Sequence, residues 1–282
     1  MGRILIELAL APALVAISTL VARRWGSRVG GVVSAFPAIV GPVLLILALA
    51  HGQAFAARAA EGTLLGLVSL AAFALAYGRL AGGHGWRVCA AGGWVTAALA
   101  ALVTGFAVGG ARSPAGLLVA TAAIALAWRA LPTVVPEAAT SAPGRRAIPA
   151  RMASAALLVA LLSAAAGALG AVAGGMLAAL PVLACVLAVF THREHGGAQA
   201  IALLRGMLAG MASFVLFCQV IAVAVVPYGI APAFAAATVV ALAVQAIVVY
   251  APTPVHSQLR RQSSAASVSV TEAAGSLGRQ SS

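Results

Sequence analysis

The sequence predicts an all-α fold: a polytopic transmembrane helix bundle of about nine spans, arranged as an inverted-topology 4+1+4 repeat. Three observations predict it. The 282 residues are 63% hydrophobic and only 8% charged, against roughly 25% charged in soluble domains. The apolar residues gather into about nine runs, each near the 20 or so residues that a bilayer core requires. And the chain matches itself without a gap when Gly30 is laid on Gly174.

The first run, 4–22, has the length of a signal peptide. However, Glu7 interrupts its start, and Arg23, Arg24 and Arg28 follow it in place of a cleavage site, so it reads as a true span. The second, 30–50, opens on "GGVVSAFPAIVGPV", and the third covers 61–80. "AGGHG" then breaks the chain before a fourth run at 88–109, and "VGGARSP" before a fifth at 114–132. "PTVVPEAATSAPGRRAIPAR" is the one long polar linker. Runs at 152–170, 174–191, 202–226 and 230–250 follow, the last two divided by "VPYGIAP". Beyond Tyr250 the chain turns Ser- and Gln-rich, the composition of a disordered tail. The predicted organisation is a first four-helix repeat (1–110), a fifth span with its linker (111–151), a second, inverted repeat (152–250) and a tail (251–282). Cys89, Cys185 and Cys218 stand alone within apolar runs, without metal or redox spacing, and read as small buried hydrophobes.

Every Lys+Arg position is arginine, and the net charge is +12. In a soluble protein such a charge would point to nucleic acid. Here the arginines sit in short loops between apolar runs, where they act as topology signals beside anionic lipid, so no nucleic acid partner is expected. Arg23, Arg24, Arg28, Arg79, Arg87, Arg129, Arg145, Arg146, Arg151, Arg193, Arg205, Arg260, Arg261 and Arg279 fall on one side, and Arg3, Arg58 and Arg112 on the other. The positive-inside rule therefore places the N-terminus outside and the tail in the cytoplasm. Trp25, Tyr77, Trp86, Trp128 and Tyr250 lie near the predicted inner boundary, as interfacial anchors. Alanine richness and the absence of lysine point to a GC-rich bacterium, hence to a bacterial inner membrane.

In the self-match, Gly30, Gly31, Ala35 and Pro37 meet Gly174, Gly175, Ala179 and Pro181, and His51-Gly52 meets His195-Gly196. Gly62, Gly66 and Ser69 meet Gly206, Gly210 and Ser213, and Phe73 meets Phe217. Glycine, proline and histidine are rare enough for this to indicate duplication. An odd number of spans separates equivalent points, so the second copy enters the membrane upside down. Charge agrees: Glu7 and Glu61, on the outer side, correspond to Arg151 and Arg205, on the inner.

A proline inside a helix removes a donor and kinks the axis. Pro37 frees the carbonyl of Val33, Pro42 that of Ala38, and Pro181 that of Leu177. In hydrocarbon such a carbonyl costs several kcal/mol unless a neighbouring helix, a hydroxyl such as Ser34 or water satisfies it. Pro37 lies seven residues past Gly30, about 10 Å deep at 1.5 Å per residue, and Pro181 reaches the same depth from the other side. Paired broken helices meeting near the midplane are how secondary transporters build their sites; kinks that merely aid packing are the alternative. Gly30, Gly31, Ser34, Pro37, Gly174, Gly175 and Pro181 are accordingly the candidate substrate-binding residues.

The Gly, Gly, Ser sets at 62, 66, 69 and 206, 210, 213 share one helix face and read as packing surfaces of spans 3 and 8. Glu7, His51 and His195 are candidates for coupling or gating. Glu7 also has Arg3 for an interfacial partner, and a His-Gly pair at a helix end also serves as a cap. Gln219 and Gln245 lie within spans 8 and 9 and want bundle-facing partners. No nucleophilic triad, paired carboxylates, metal spacing or phosphate loop is present in the sequence, so neither enzymatic activity nor a cofactor or metal is expected.

The Gly-x4-Phe-Pro string in "GVVSAFP", the following "HG" and the glycine-bearing "EGTLLGLVSLAAFALAYG" resemble the small GlpM-like family of bacterial inner-membrane proteins. The resemblance implies two such units fused through span 5, with Leu180 standing in the second unit where the first has Phe36. It implies an indirect link to exopolysaccharide production and names no substrate. The residues themselves support two readings. One is a secondary transporter of a small solute by alternating access at a central site between broken helices 2 and 7. The other is a non-transporting scaffold of an envelope pathway.

Overall fold

The computed structural model describes residues 13, 16–37, 40–107, 114–134, 149, 152–153 and 181–250. Among these every regular element is a helix. Residues 16–25 are helical. Eight helices follow: α1 (Ser27–Ser34), α2 (Val40–His51), α3 (Gln53–Leu80), α4 (Trp86–Ala107), α5 (Pro114–Ala130), α6 (Val182–His195), α7 (Gly197–Tyr228) and α8 (Ile230–Tyr250). Glu7, Gly174, Gly175, most of predicted spans 1 and 6 and the tail lie outside the described residues. The chain divides into two units, Met1–Val249 and Tyr250–Ser282, and the helix bundle belongs to the first.

Among the described residues, four helical runs are long and apolar enough to cross a membrane: Gln53–Leu80, Trp86–Gly105, Val182–Tyr228 and Ile230–Tyr250. The protein is a multi-pass membrane protein on this ground. The 47 residues of Val182–Tyr228 would measure about 70 Å as one rod, more than twice the roughly 30 Å of a hydrocarbon core. Gly196, with φ 83° and ψ 172°, ends that rod after α6. Gly52 does the same between α2 and α3, with φ 87° and ψ 169°. Only glycine occupies this region of backbone space at low cost, so the chain turns at a single residue and starts a new helix immediately.

The two longest helices form the centre. α3 packs against α2, α4, α5 and α7, and α7 against α1, α3, α5 and α6. Leu64, Leu67, Phe73 and Tyr77 of α3 and Leu203, Leu204, Leu208 and Met211 of α7 are all buried. α4 and α8 lie at the periphery and expose Leu99, Leu102, Val103, Val239, Leu242 and Ile247. Patches of that kind would associate in water and are at rest in lipid. Tyr77 is a correction to the reading of interfacial anchors. It is 0% exposed, because α3 is enclosed on several sides, and its hydroxyl bonds Nδ1 of His192 at 3.2 Å. Trp25 and Tyr250 are exposed, as anchors are.

Positions that the arginine pattern assigned to one membrane face do meet. Ser27 donates to Gln199 Oε1 at 2.7 Å. Arg79 donates to the carbonyl of Ala130 at 3.3 Å and Arg205 to that of Leu131 at 2.6 Å, while Arg193 lies over Trp86. The carbonyl of Ala81, after α3, adjoins Gly197 at the start of α7. The end of one central helix therefore meets the beginning of the other, and the two run in opposite directions.

Candidate functional site

Span 2, expected as one kinked helix over 30–50, is two helices. α1 stops at Ser34 and α2 starts at Val40, with Pro37 buried between them. Three carbonyls of the last turn of α1, those of Gly31, Val32 and Val33, are provided for. The backbone tightens there to three-residue spacing, so Ala35 donates to Val32 and Phe36 to Val33, each at 3.2 Å. Gly31 receives the Ser34 hydroxyl at 2.7 Å. Val33, the carbonyl expected to be freed by Pro37, thus has a backbone donor. Pro42 lies within the first turn of α2, and Ala38 is outside the described residues.

A third helix completes this arrangement. Gln245 of α8, buried, donates from Nε2 to the carbonyl of Val32. Its Oε1 lies 2.6 Å from the Ser213 hydroxyl, which is also 2.7 Å from the carbonyl of Gly210; one proton serves two acceptors. The network therefore joins α1, α7 and α8 through Val32, Ser213 and Gln245. None of its members is ionisable. It offers amide and hydroxyl donors and backbone oxygens, which suit a neutral polar group.

Glycines allow the helices this close. A Cβ on Gly31 would lie 2.0 Å from the carbonyl oxygen of Leu203, and one on Gly206 would lie 2.0 Å from that of Arg28. One on Gly210 would lie 2.6 Å from that of Val32. The face carrying Gly206 and Gly210 packs against α1. α3 and α7 also pack on each other. Gly30 approaches the earlier helical stretch, at Ala22 and the carbonyl of Ser18. Gly30 and Gly31 therefore sit in helix contacts beside the break, while Ser34 and Pro37 belong to the break itself.

Pro181 is the N-cap of α6, and a few described hydrogen bonds fall at positions paired in the self-match. Gly41 N–H bonds the Pro37 carbonyl at 2.8 Å, and Cys185 N–H bonds that of Pro181 at 2.8 Å. Gly52 N–H bonds Ala48 and Gly196 N–H bonds His192, both at 3.0 Å. Ser69 donates to Gly66 at 2.7 Å as Ser213 does to Gly210. Phe73 and Phe217 each meet an aromatic ring edge-on with centroids 6.3 Å apart, but their partners, Trp94 and Phe234, are not paired in the self-match. Gly62 and Gly66 are buried along α3.

His51 and His195 are the last residues of α2 and α6. Each precedes a glycine break, away from the network at Gln245. His51 stacks on Phe55 with centroids 4.7 Å apart. Sequence reasoning passed over a second constellation, in which Tyr77 meets His192 and Trp94 Nε1 donates to Cys185 Sγ at 3.3 Å. No spacing could have revealed these pairs, whose members lie on different helices and have no counterpart in the self-match.

Residues 4–111 match a family described as protein of unknown function, DUF3147. No curated protein and no solved structure matches the chain. The matched stretch is nearly coextensive with the four spans read as the first repeat, and it ends before the fifth.

Proposed function

We propose that this protein carries a small, neutral or weakly polar solute across its membrane by alternating exposure of a central site at the breaks marked by Pro37 and Pro181. The reading rests on one observation above others. Two central helices that correspond in the self-match run antiparallel, and the helix preceding each, α2 or α6, has a first-turn N–H bonded to a proline carbonyl. Two halves inserted in opposite senses around a shared axis are one architecture on which alternating access is built. The end of the DUF3147 match near residue 111 supports a four-span unit as the thing duplicated. Ser34, Ser213, Gln245 and the carbonyl of Val32 are the solute's hydrogen-bonding partners on this reading. The arginine distribution supports an inner membrane with a cytoplasmic C-terminus.

Thiol accessibility tests it. In a variant lacking Cys89, Cys185 and Cys218, Ser34→Cys is labelled by membrane-impermeant maleimide in oriented vesicles. Alternating access expects labelling from either side, with solute or inhibitor shifting the ratio. Protection from both sides removes the transport reading. One observation favours a scaffold in that event: the carbonyls of Gly31, Val32 and Val33 already have donors within the protein. A membrane scaffold of an envelope pathway needs no more than that.

A further inference from the structure

Three tryptophans at one end of the bundle carry a guanidinium over the ring. Arg24 lies 5.5 Å from the centroid of Trp25 and Arg205 lies 5.1 Å from that of Trp128. Trp86 differs in carrying two. Arg87 and Arg193 each stand 5.2 Å from its centroid, one from the first turn of α4 and the other from the last turn of α6. The two cations are therefore no farther apart than twice that distance. The ring attracts each of them, while they repel one another.

The protein has few means of neutralising this pair. It contains five acidic residues against 17 arginines. Glu194, next to Arg193, is the acid nearest in sequence and has contacts of its own. His84, His192, His195 and Arg79 at the same end are neutral or basic. A counter-anion from outside would neutralise it. Where apolar helices meet the aqueous boundary, with an indole at headgroup level, the abundant anion is a phospholipid phosphate. Basic pockets between helices are where such headgroups are held.

The helix below the pocket fits the rest of a lipid. From the turn after Arg87, α4 exposes Val88, Val95, Leu99, Leu102 and Val103. The spacing of seven and then four residues keeps Val88, Val95 and Leu99 on one side of the helix. From Val88 to Val103 the stripe runs about 22 Å at 1.5 Å per residue, comparable with an extended acyl chain. We infer that Trp86, Arg87 and Arg193 form a headgroup site for an anionic phospholipid, with its acyl chain along this face of α4. Because α4 and α6 belong to different halves of the chain, the bound lipid bridges them.

The test uses the full-length protein in neutral detergent, with phosphatidylglycerol, phosphatidylcholine or inorganic phosphate added at equal concentration. Thermal unfolding and lipid adducts in native mass spectrometry are the two readouts. The expected result is at least a tenfold preference for phosphatidylglycerol over phosphatidylcholine, abolished in Arg87→Gln/Arg193→Gln and kept in Arg23→Gln/Arg24→Gln, which loses the same charge. Equal retention of both lipids, or equal loss in the two double variants, overturns the site. Stabilisation by inorganic phosphate that matches the lipid's overturns the assignment to lipid. Should the first double variant fail to fold, Arg193→Lys serves in its place. It keeps the charge but loses the planar stack on the ring, and a preference lowered by less than half overturns the proposal.

Discussion

Replacing Gly31 or Gly206 with alanine tests the contact on which the centre of the bundle depends. At either position the new methyl would fall 2.0 Å from a backbone carbonyl oxygen of the facing helix, where ordinary contact begins at 3.4 Å. A carbonyl within a helix cannot rotate away as a side-chain end can, so α1 and α7 must separate by more than an ångström. Overpacking of this severity costs typically 1–3 kcal/mol, and separation also stretches the Gln245 to Val32 bond, worth about 0.6 kcal/mol for an average interhelical pair in a membrane. We expect about 2 kcal/mol for each substitution, close to a thirtyfold shift in the folding equilibrium. The double variant should fall short of the sum, because one displacement relieves both clashes. Gly116→Ala is the control: its methyl would lie 3.9 Å from Leu64, and alanine gains about 0.5–1 kcal/mol over glycine inside a helix. Equilibrium unfolding in mixed micelles measures all four. Gly31→Ala and Gly206→Ala lying within 0.5 kcal/mol or so of Gly116→Ala would refute the close approach.

Gly52→Ala and Gly196→Ala should each destabilise by about 1–3 kcal/mol through backbone strain alone. No atom lies within 4 Å of the Cβ position at either site, and unfolding in the same micelles should give similar values for the two. Gln245→Leu removes one donor and one acceptor from the network. We expect a loss of about 1 kcal/mol, with Ser213→Ala in the same background adding little, as a double-mutant cycle would record. Tyr77→Phe keeps the ring against Phe73 and removes the bond to His192; a cost of about 1 kcal/mol, read from thermal unfolding, is expected. A cost near zero would mean that burial of the ring is what matters at this position.

Much of the fold is legible in the sequence because a bilayer imposes one-dimensional rules. Apolar length identifies the helices, since backbone polar groups in lipid must be satisfied within the segment. Charge in the loops gives an expectation for which face each loop occupies. The His-Gly pairs were legible as helix ends, because only glycine turns so sharply there. Helix limits were less so. α3 begins at Gln53 and α7 at Gly197, ahead of the apolar runs at 61 and 202, because a helix continues past the lipid wherever neighbours cover it.

The sequence by itself determined that this is a helical membrane protein, where the chain breaks, and that its halves share a pattern. Those are local properties, set by side-chain polarity and by the backbone freedom of glycine and proline. The tertiary structure alone decided partners: that Gly206 and Gly210 receive α1, that Gln245 reaches the carbonyl of Val32, that Tyr77 is enclosed, and that two arginines share Trp86. Each of these depends on which helix faces stand opposite one another in space. Residues far apart in the chain carry no mark of that, because an apolar face buried against a neighbour and one turned toward lipid have the same composition.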